Sequence, residues 1–126
     1  MEKRIVGRTQ LKIDVIGLGG APLGGNFADL TYAQGVEIVS SALDAGMSYF
    51  DTAPWYGFGR SERVIGDQLR GKNYILSSKV GRRLVPGAVT NPMNFGMIDP
   101  LPFHPVYDYT YAVSYTHLRA HETSKH

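Results

Sequence analysis

The sequence predicts an α/β protein built on a parallel β-sheet. Three short apolar runs of strand length are separated by two segments with helical periodicity. The first run ends at Leu18, the second spans Ser48 to Thr52 and the third spans Tyr74 to Ser78. Strands that alternate with helices of this length form βαβ units, so we expect the three runs to be neighbouring parallel strands.

A short hairpin is predicted before the first of these strands. Lys3 to Val6 and Leu11 to Ile16 alternate apolar and polar side chains around a turn that contains Gly7. After the first strand, a glycine-rich loop extends from Gly19 to Gly25.

Two helices are predicted between the strands. Thr31 and Gln34 have the spacing of a capping box, and Gly46 is placed to stop the first helix. Ser61 is the predicted N-cap of the second helix and Gly71 its C-terminal stop. The predicted buried residues are Val36, Val39, Ala42 and Leu43 on the first helix and Val64, Ile65 and Leu69 on the second.

The segment from Arg82 to Tyr111 shows only loop chemistry, with five prolines and scattered aromatic residues. A loop of that length is unusual inside a domain unless it serves a function. Arg82 and Arg83 either face a phosphate of a substrate or cofactor or form a solvated pair, and we favour the solvated pair.

Composition excludes several classes of partner and site. The 126-residue chain has 13 basic and 11 acidic residues and no basic run that could follow a nucleic-acid backbone. It has no cysteine, which excludes disulfides and thiolate chemistry. The chain shows neither a secretory signal nor an apolar run long enough to span a membrane. We therefore expect a cytoplasmic protein with no nucleic-acid or membrane partner.

An acid, a phenol and an amine follow the second and third strands, at Asp51, Tyr56 and Lys79. Reacting groups in parallel α/β folds lie at the carboxyl ends of strands about 4.8 Å apart, so Asp51 and Lys79 should reach each other. An ammonium stabilises a phenolate and makes a phenol a better acid. The triple thus predicts that the phenol of Tyr56 acts as a general acid. It would protonate a carbonyl oxygen while a hydride is transferred to the carbonyl carbon. Each residue alone is also a common structural residue.

The glycine loop only partly matches a dinucleotide-binding motif. Gly17 and Gly19 supply two of the three glycines, but Pro22 occupies the third position and the next strand's only terminal acid is Asp51. The loop is therefore either a tight connection or a backbone surface for a cofactor.

Three longer motifs resemble the aldo-keto reductase family. They are Gly17 to Gly24, Phe50 to Glu62 and Ser77 to Arg82. Two shorter motifs, Pro102-Phe103 and Val106 to Tyr111, are similar to those of the subgroup of aldose, L-fucose and pyridoxal dehydrogenases. The resemblance implies the N-terminal part of a (β/α)₈ TIM barrel with an N-terminal β-hairpin. A whole barrel takes about 250 residues, so this barrel is incomplete.

The resemblance also implies the chemistry. It indicates NADP or NAD as cofactor and an aldehyde, ketone or aldose as substrate, without a metal. Tyr56 would be the general acid/base, Lys79 would tune it and Asp51 would support Lys79. The residues expected to contact the cofactor are Gly19, Gly20, Ala21 and Asp51.

The family's fourth catalytic position is a histidine, and no residue aligns with it. His104 lies in the predicted proline-bounded loop, and the other histidines lie in the last residues of the chain. Val113 to Thr123 resembles one reading frame of a sequencing-library adapter. We interpret residues 1–111 as a partial aldo-keto reductase domain and residues 112–126 as a non-native tail. A metal site at His117 and His121, four residues apart, is the alternative, but it lacks a third ligand.

Two further functions stay open. The chain could be part of a non-catalytic regulatory subunit that binds a nicotinamide cofactor, or a half-barrel that assembles with a partner chain.

Overall fold

The computed structural model describes residues 1–115, beginning with an antiparallel hairpin. Strand β1 is Lys3–Ile5 and strand β2 is Lys12–Asp14. The buried carboxylate of Asp14 accepts hydrogen bonds from the Lys3 ammonium and from the backbone N–H of Ser48, both at 2.5 Å. These contacts attach the hairpin to the chain that enters the parallel sheet. The predicted hairpin is confirmed.

Three short parallel strands form the central sheet. In spatial order they are β3 at Leu18–Gly19, β4 at Tyr49–Asp51 and β5 at Ile75–Ser77. Asp51 is in register with both Gly19 and Ser77. Because side chains alternate along a strand, Asp51 and Ser77 share one face of the sheet and Phe50 points to the other. The predicted parallel arrangement is confirmed.

Two helices cover the face of the sheet that carries Phe50. Helix α1 is Tyr32–Asp44 and helix α2 is Arg60–Leu69. The predicted capping box of α1 is present, because Thr31 and Gln34 exchange hydrogen bonds between side chain and backbone. Burying each large apolar side chain stabilises the fold by roughly 1.5–3 kcal/mol. The core consists of Leu23, Val39, Ala42, Phe50, Val64, Ile65 and Leu69.

Helix α2 does not begin as the sequence predicts. Gly59 precedes it in the left-handed region, with φ 99°, and no side chain caps the first turn. Ser61 lies inside the helix and is fully buried, with its Oγ 2.9 Å from Oγ1 of Thr52. The prediction of Ser61 as N-cap is wrong, because its hydroxyl instead joins α2 to the end of β4.

The segment predicted to be a loop contains two strands. Strand β6, Gly81–Pro86, pairs antiparallel with β7, Phe103–Asp108, and a 3₁₀ turn at Pro92–Phe95 lies between them. The loop prediction is wrong for both strands and for His104, which lies in β7. The prolines made these segments look like loop in the sequence. They are tolerated because each strand of a two-stranded sheet has a free edge, where a missing N–H breaks no hydrogen bond of the ladder.

The parallel sheet stays open within residues 1–115. Strands β3 and β5 are its two edges, so this part of the chain does not close a barrel. Residues 111–115 are helical. Within residues 1–115, no helix combines the length and the apolar character needed to cross a membrane.

Candidate active site

The ends of β4 and β5 bring Asp51 and Lys79 together. The Lys79 ammonium donates to Oδ2 of Asp51 and to the carbonyl oxygen of Thr52, each at 3.0 Å. Lys79 follows Ser77 by two residues, and Ser77 is in register with Asp51, so strand pairing sets this distance. The predicted proximity of Asp51 and Lys79 is confirmed.

Tyr56 lies over the same ammonium. Nζ of Lys79 is 4.9 Å from the centroid of the Tyr56 ring. Two backbone hydrogen bonds of 3.2 Å hold the loop that carries Tyr56. The N–H of Tyr56 donates to the carbonyl oxygen of Ala53, and the N–H of Ser61 donates to the carbonyl oxygen of Tyr56. Gly24 packs so closely that a Cβ there would lie 2.4 Å from the carbonyl carbon of Tyr56. Backbone contacts therefore fix the main chain that carries the Tyr56 side chain.

The environment keeps Lys79 charged. Partial burial alone lowers the pKa of the ammonium, but hydrogen bonds and charge from Asp51 and Tyr56 outweigh burial and leave the pKa above its ordinary value. Lysine is already protonated at neutral pH, so a raised pKa preserves the cation into the alkaline range.

Two residues that the sequence analysis missed orient Asp51. Oγ of Ser77 donates to Oδ1 of Asp51 at 2.6 Å, and the Tyr49 hydroxyl lies 3.1 Å from that Oγ. Asp51 thus uses one oxygen for Ser77 and the other for Lys79. No local signal in the sequence indicated Ser77, because its contact with Asp51 depends on the register of β4 and β5.

A small cleft contains the phenol and the ammonium. It encloses about 180 Å³ and is lined by Ala53, Pro54, Trp55, Tyr56, Lys79, Val80 and Arg82. A larger cleft of about 620 Å³ lies beside the start of α1 and includes Arg60. The Arg60 guanidinium there donates to the backbone carbonyls of Leu30, Ile98 and Asp99, which is a structural role. We therefore assign the chemistry to the smaller cleft.

The glycine loop has one tightly packed and one open position. The N–H of Gly20 donates to the carbonyl oxygen of Asp51 at 2.8 Å, and a Cβ on Gly20 would lie 2.5 Å from Oγ of Ser61. A Cβ on Gly19 would meet nothing within 4 Å. Gly20 is thus required for packing, whereas Gly19 leaves exposed backbone beside Asp51 that a ligand can approach.

The described residues contain neither a histidine in the cleft nor a metal cluster. Nδ1 of His104 lies 2.9 Å from the carbonyl oxygen of Gly87, and His104 does not line the cleft. Residues 1–115 hold no group of three or more His, Cys, Asp or Glu side chains that could bind a metal ion. His117 and His121, the alternative metal pair, lie outside the described residues.

Comparison with known proteins establishes the family. The family model described as "Aldo/keto reductase family" matches residues 15–104, which is more than half of the chain. The chain therefore belongs to the aldo/keto reductase family, as its motifs predict.

Three similar proteins show how much of a relative the chain represents. Pyridoxal 4-dehydrogenase of Microbacterium luteolum is 41% identical over 121 residues, which covers 87% of this chain and 35% of the relative. D-threo-aldose 1-dehydrogenase of Pseudomonas sp is 38% identical over 85 residues, covering 65% and 26% respectively. The holo form of an aldo-keto reductase from Bacillus halodurans matches with a TM-score of 0.70 at 24% identity, covering 99% of this chain and 36% of that one. The predicted fold class, part of an incomplete barrel, is confirmed, and the chain spans between about a quarter and just over a third of these proteins.

Proposed function

We propose that residues 1–111 are the N-terminal part of an oxidoreductase that transfers a hydride between NADP or NAD and an aldehyde, ketone or aldose. The supporting observation is the Lys79 ammonium, held by Asp51 at 3.0 Å and placed 4.9 Å from the centre of the Tyr56 ring. Phenol and ammonium line one cleft, as acid/base chemistry at a small carbonyl requires.

Each residue of the triple has a distinct role in this proposal. When bound, the nicotinamide supplies or accepts the hydride. The Tyr56 hydroxyl donates its proton to the carbonyl oxygen of the substrate in reduction and recovers it in oxidation. The Lys79 ammonium stabilises the phenolate that remains, and Asp51 orients Lys79 through its second carboxylate oxygen.

The cofactor would lie against the carboxyl ends of β3 and β4. The exposed backbone at Gly19 and the neighbouring Ala21 would contact it, beside Asp51. Gly20 would contribute by holding this loop in place, because its N–H already donates to the carbonyl oxygen of Asp51. Close backbone approach is the usual reason for glycine at a cofactor site.

The 126-residue polypeptide by itself is a poor catalyst in this proposal. Its parallel sheet has two open edges in residues 1–115, and between about two thirds and three quarters of each relative's length has no counterpart in it. We propose that residues 112–126 are a non-native tail and that the location is cytoplasmic. The complete triple of Asp51, Tyr56 and Lys79 argues against a non-catalytic regulatory subunit. A half-barrel that needs a partner chain would instead appear as a defined, folded oligomer in size-exclusion chromatography.

A chimera tests the catalytic proposal. Residues 1–111 are joined in register to the remaining two thirds of the Microbacterium luteolum enzyme, and the product is called the reconstituted barrel. We expect turnover of NAD or NADP with pyridoxal or an aldose. Tyr56→Phe should lower kcat by roughly 10²- to 10⁴-fold, because general acid/base catalysis contributes about that much.

The control is Tyr111→Phe, at a tyrosine that is 80% exposed and does not line the cleft. Circular dichroism and thermal melting establish that each variant is folded. A folded reconstituted barrel without turnover, or a Tyr56→Phe variant as active as its parent, would contradict the proposed function.

A further inference from the structure

An arginine is held between aromatic rings at the catalytic cleft. Arg82 on β6 is in register with Tyr107 on β7. Its guanidinium carbon lies 4.6 Å from the centroid of the Trp55 ring and 5.2 Å from that of Tyr107. Tyr107 in turn stacks on Tyr109 at 6.4 Å, with 12° between the ring planes. We call these four residues the arginine stack.

The strand pairing builds this stack. Tyr107 and Tyr109 are two residues apart, so they project to the same side of the chain. Gly81 makes room for the second ring, because a Cβ there would lie 2.2 Å from Cε1 of Tyr109. Arg82 follows Gly81 directly and reaches from the strand pair to Trp55, next to Tyr56. The segment predicted to be a loop therefore supplies one wall of the cleft.

The charge of Arg82 has no acidic partner in the described chain. Its neighbour Arg83 pairs with Asp108 at 3.5 Å, and Lys79 pairs with Asp51. Within residues 1–115, no carboxylate lies within ion-pair distance of Arg82. Its guanidinium donates a long hydrogen bond, of 3.4 Å, to the Tyr107 hydroxyl. The cleft thus carries one positive charge that no neighbouring carboxylate balances.

The two rings restrain the guanidinium at the cleft. Its central carbon lies 4.6 Å from the Trp55 ring centroid and 5.2 Å from that of Tyr107, and cation–π contacts of this kind hold an arginine in place. The N–H donors project from the edges of the guanidinium plane, in the fork that matches a carboxylate or phosphate. Arg82, Tyr56 and Lys79 line the same cleft of about 180 Å³, so one small molecule can contact all three.

We propose that Arg82 binds an anionic group, a carboxylate or phosphate, on the substrate. This inference rests on the proposed function, because it assigns the substrate class to the same cleft. The substrate is a small aldehyde, or the matching alcohol, whose carbonyl oxygen meets Tyr56 while its anionic end meets Arg82. A phosphate of the cofactor has the same chemistry, and the experiments must separate the two sources.

A fluorescence titration examines the anion site without catalysis. The chain has one tryptophan, and this residue, Trp55, contacts the guanidinium. The 126-residue chain and its variants are titrated with inorganic phosphate, glyceraldehyde 3-phosphate and uncharged glyceraldehyde. We expect a saturable change in Trp55 emission with the two phosphates at concentrations where glyceraldehyde has no effect.

Variants of the two adjacent arginines sharpen this test. Arg82→Gln should weaken phosphate binding by roughly tenfold or more, since hydrogen bonds to a charged group are lost. Arg82→Lys should bind with intermediate strength, because it keeps the charge and loses the planar fork. Arg83→Gln is the matched control and should change the affinity less than about twofold, because salt bridges this exposed contribute little.

Kinetics of the reconstituted barrel give a second, independent readout. The ratio of kcat/KM for glyceraldehyde 3-phosphate to kcat/KM for glyceraldehyde should exceed one and fall about tenfold in Arg82→Gln. If Arg82→Gln instead alters only the preference for NADP over NAD, the anion belongs to the cofactor and the inference is overturned. It is equally overturned if neither the ratio nor the phosphate affinity changes.

Failure of the inference and failure of the proposed function give different results. Turnover without any preference for the anionic aldehyde refutes the role of Arg82 and leaves the proposed function standing. Arg82-dependent phosphate binding at Trp55 without turnover supports the anion site and counts against the proposed function.

Discussion

A single methyl group at Gly24 should displace Tyr56, the proposed acid/base. In the glycine loop, a Cβ at Gly24 would lie 2.4 Å from the carbonyl carbon and 2.5 Å from the carbonyl oxygen of Tyr56, and 2.6 Å from the nitrogen of Gly57. All three atoms are backbone, so no side chain can rotate to make room. Ordinary contact begins near 3.4 Å, and Gly24→Ala must therefore separate the two loops by about 1 Å.

The expected effect follows from this displacement. An error of about 1 Å in the position of a reacting group lowers the rate by roughly 10²-fold, and overpacking typically destabilises by about 1–3 kcal/mol. We therefore expect Gly24→Ala to lower kcat of the reconstituted barrel by about two orders of magnitude and to lower its melting temperature. Steady-state kinetics and thermal unfolding measure the two effects separately.

Gly66 provides the matched control. A Cβ at this position in α2 would meet nothing within 4 Å. Gly66→Ala should leave kcat unchanged and stabilise the helix by about 0.5–1 kcal/mol. If Gly24→Ala retains kcat within about threefold of the parent, the argument that backbone packing positions Tyr56 is refuted, even if its melting temperature falls.

Three further predictions concern the orientation of Asp51, the attachment of the hairpin and the isolated chain. Ser77→Ala removes the 2.6 Å hydrogen bond to Asp51 and should lower kcat of the reconstituted barrel about 3- to 10-fold, with partial recovery in Ser77→Thr. Hydrogen bonds from Lys3, the largest cause, and from Ser48 lower the pKa of Asp14 from 3.8 to about 2, below its value in the unfolded chain. The resulting stabilisation of the fold is complete above about pH 4 and is lost as the pH falls towards 2. Asp14 is buried but its partner Lys3 is 43% exposed, so solvent screens the pair and we expect Asp14→Asn to remove about 1–2 kcal/mol at pH 7, measured by urea denaturation. The purified 126-residue chain should show no NADPH oxidation with an aldehyde.

Each of these predictions has a result that contradicts it. An unchanged kcat in Ser77→Ala would show that Lys79 alone orients Asp51. Equal pH dependence of unfolding between pH 5 and 2 in the parent and in Asp14→Asn would exclude the proposed role of Asp14. Measurable turnover by the 126-residue chain would show that this part of the barrel is catalytically sufficient.

Features that depend on local sequence patterns, or on two consecutive strands being neighbours, were predicted correctly. Thr31 and Gln34 form their capping box through hydrogen bonds that span a single helical turn. Val64, Ile65 and Leu69 are buried because helical periodicity places them on one side of α2. Asp51 and Lys79 meet because two consecutive strands are adjacent, and adjacency follows from their helical connection.

Signals that depend on a distant partner were missed or misassigned. Ser61 has the residue type of an N-cap, but its hydroxyl meets Thr52 from the preceding strand instead. Strands β6 and β7 were predicted to be loop. Each becomes a strand because it pairs with the other, and a long connection separates the two in the chain. Their prolines lowered the local strand propensity without breaking that pairing.

Short motifs and local periodicity are sufficient to predict the family, the parallel α/β class and the proximity of Asp51, Tyr56 and Lys79. Only the tertiary structure placed Ser77 on Asp51 and Arg82 between Trp55 and Tyr107. The physical reason is that hydrogen bonds and ring contacts form between faces that register and loop packing bring together. Residues far apart in the chain carry no local sign of that meeting.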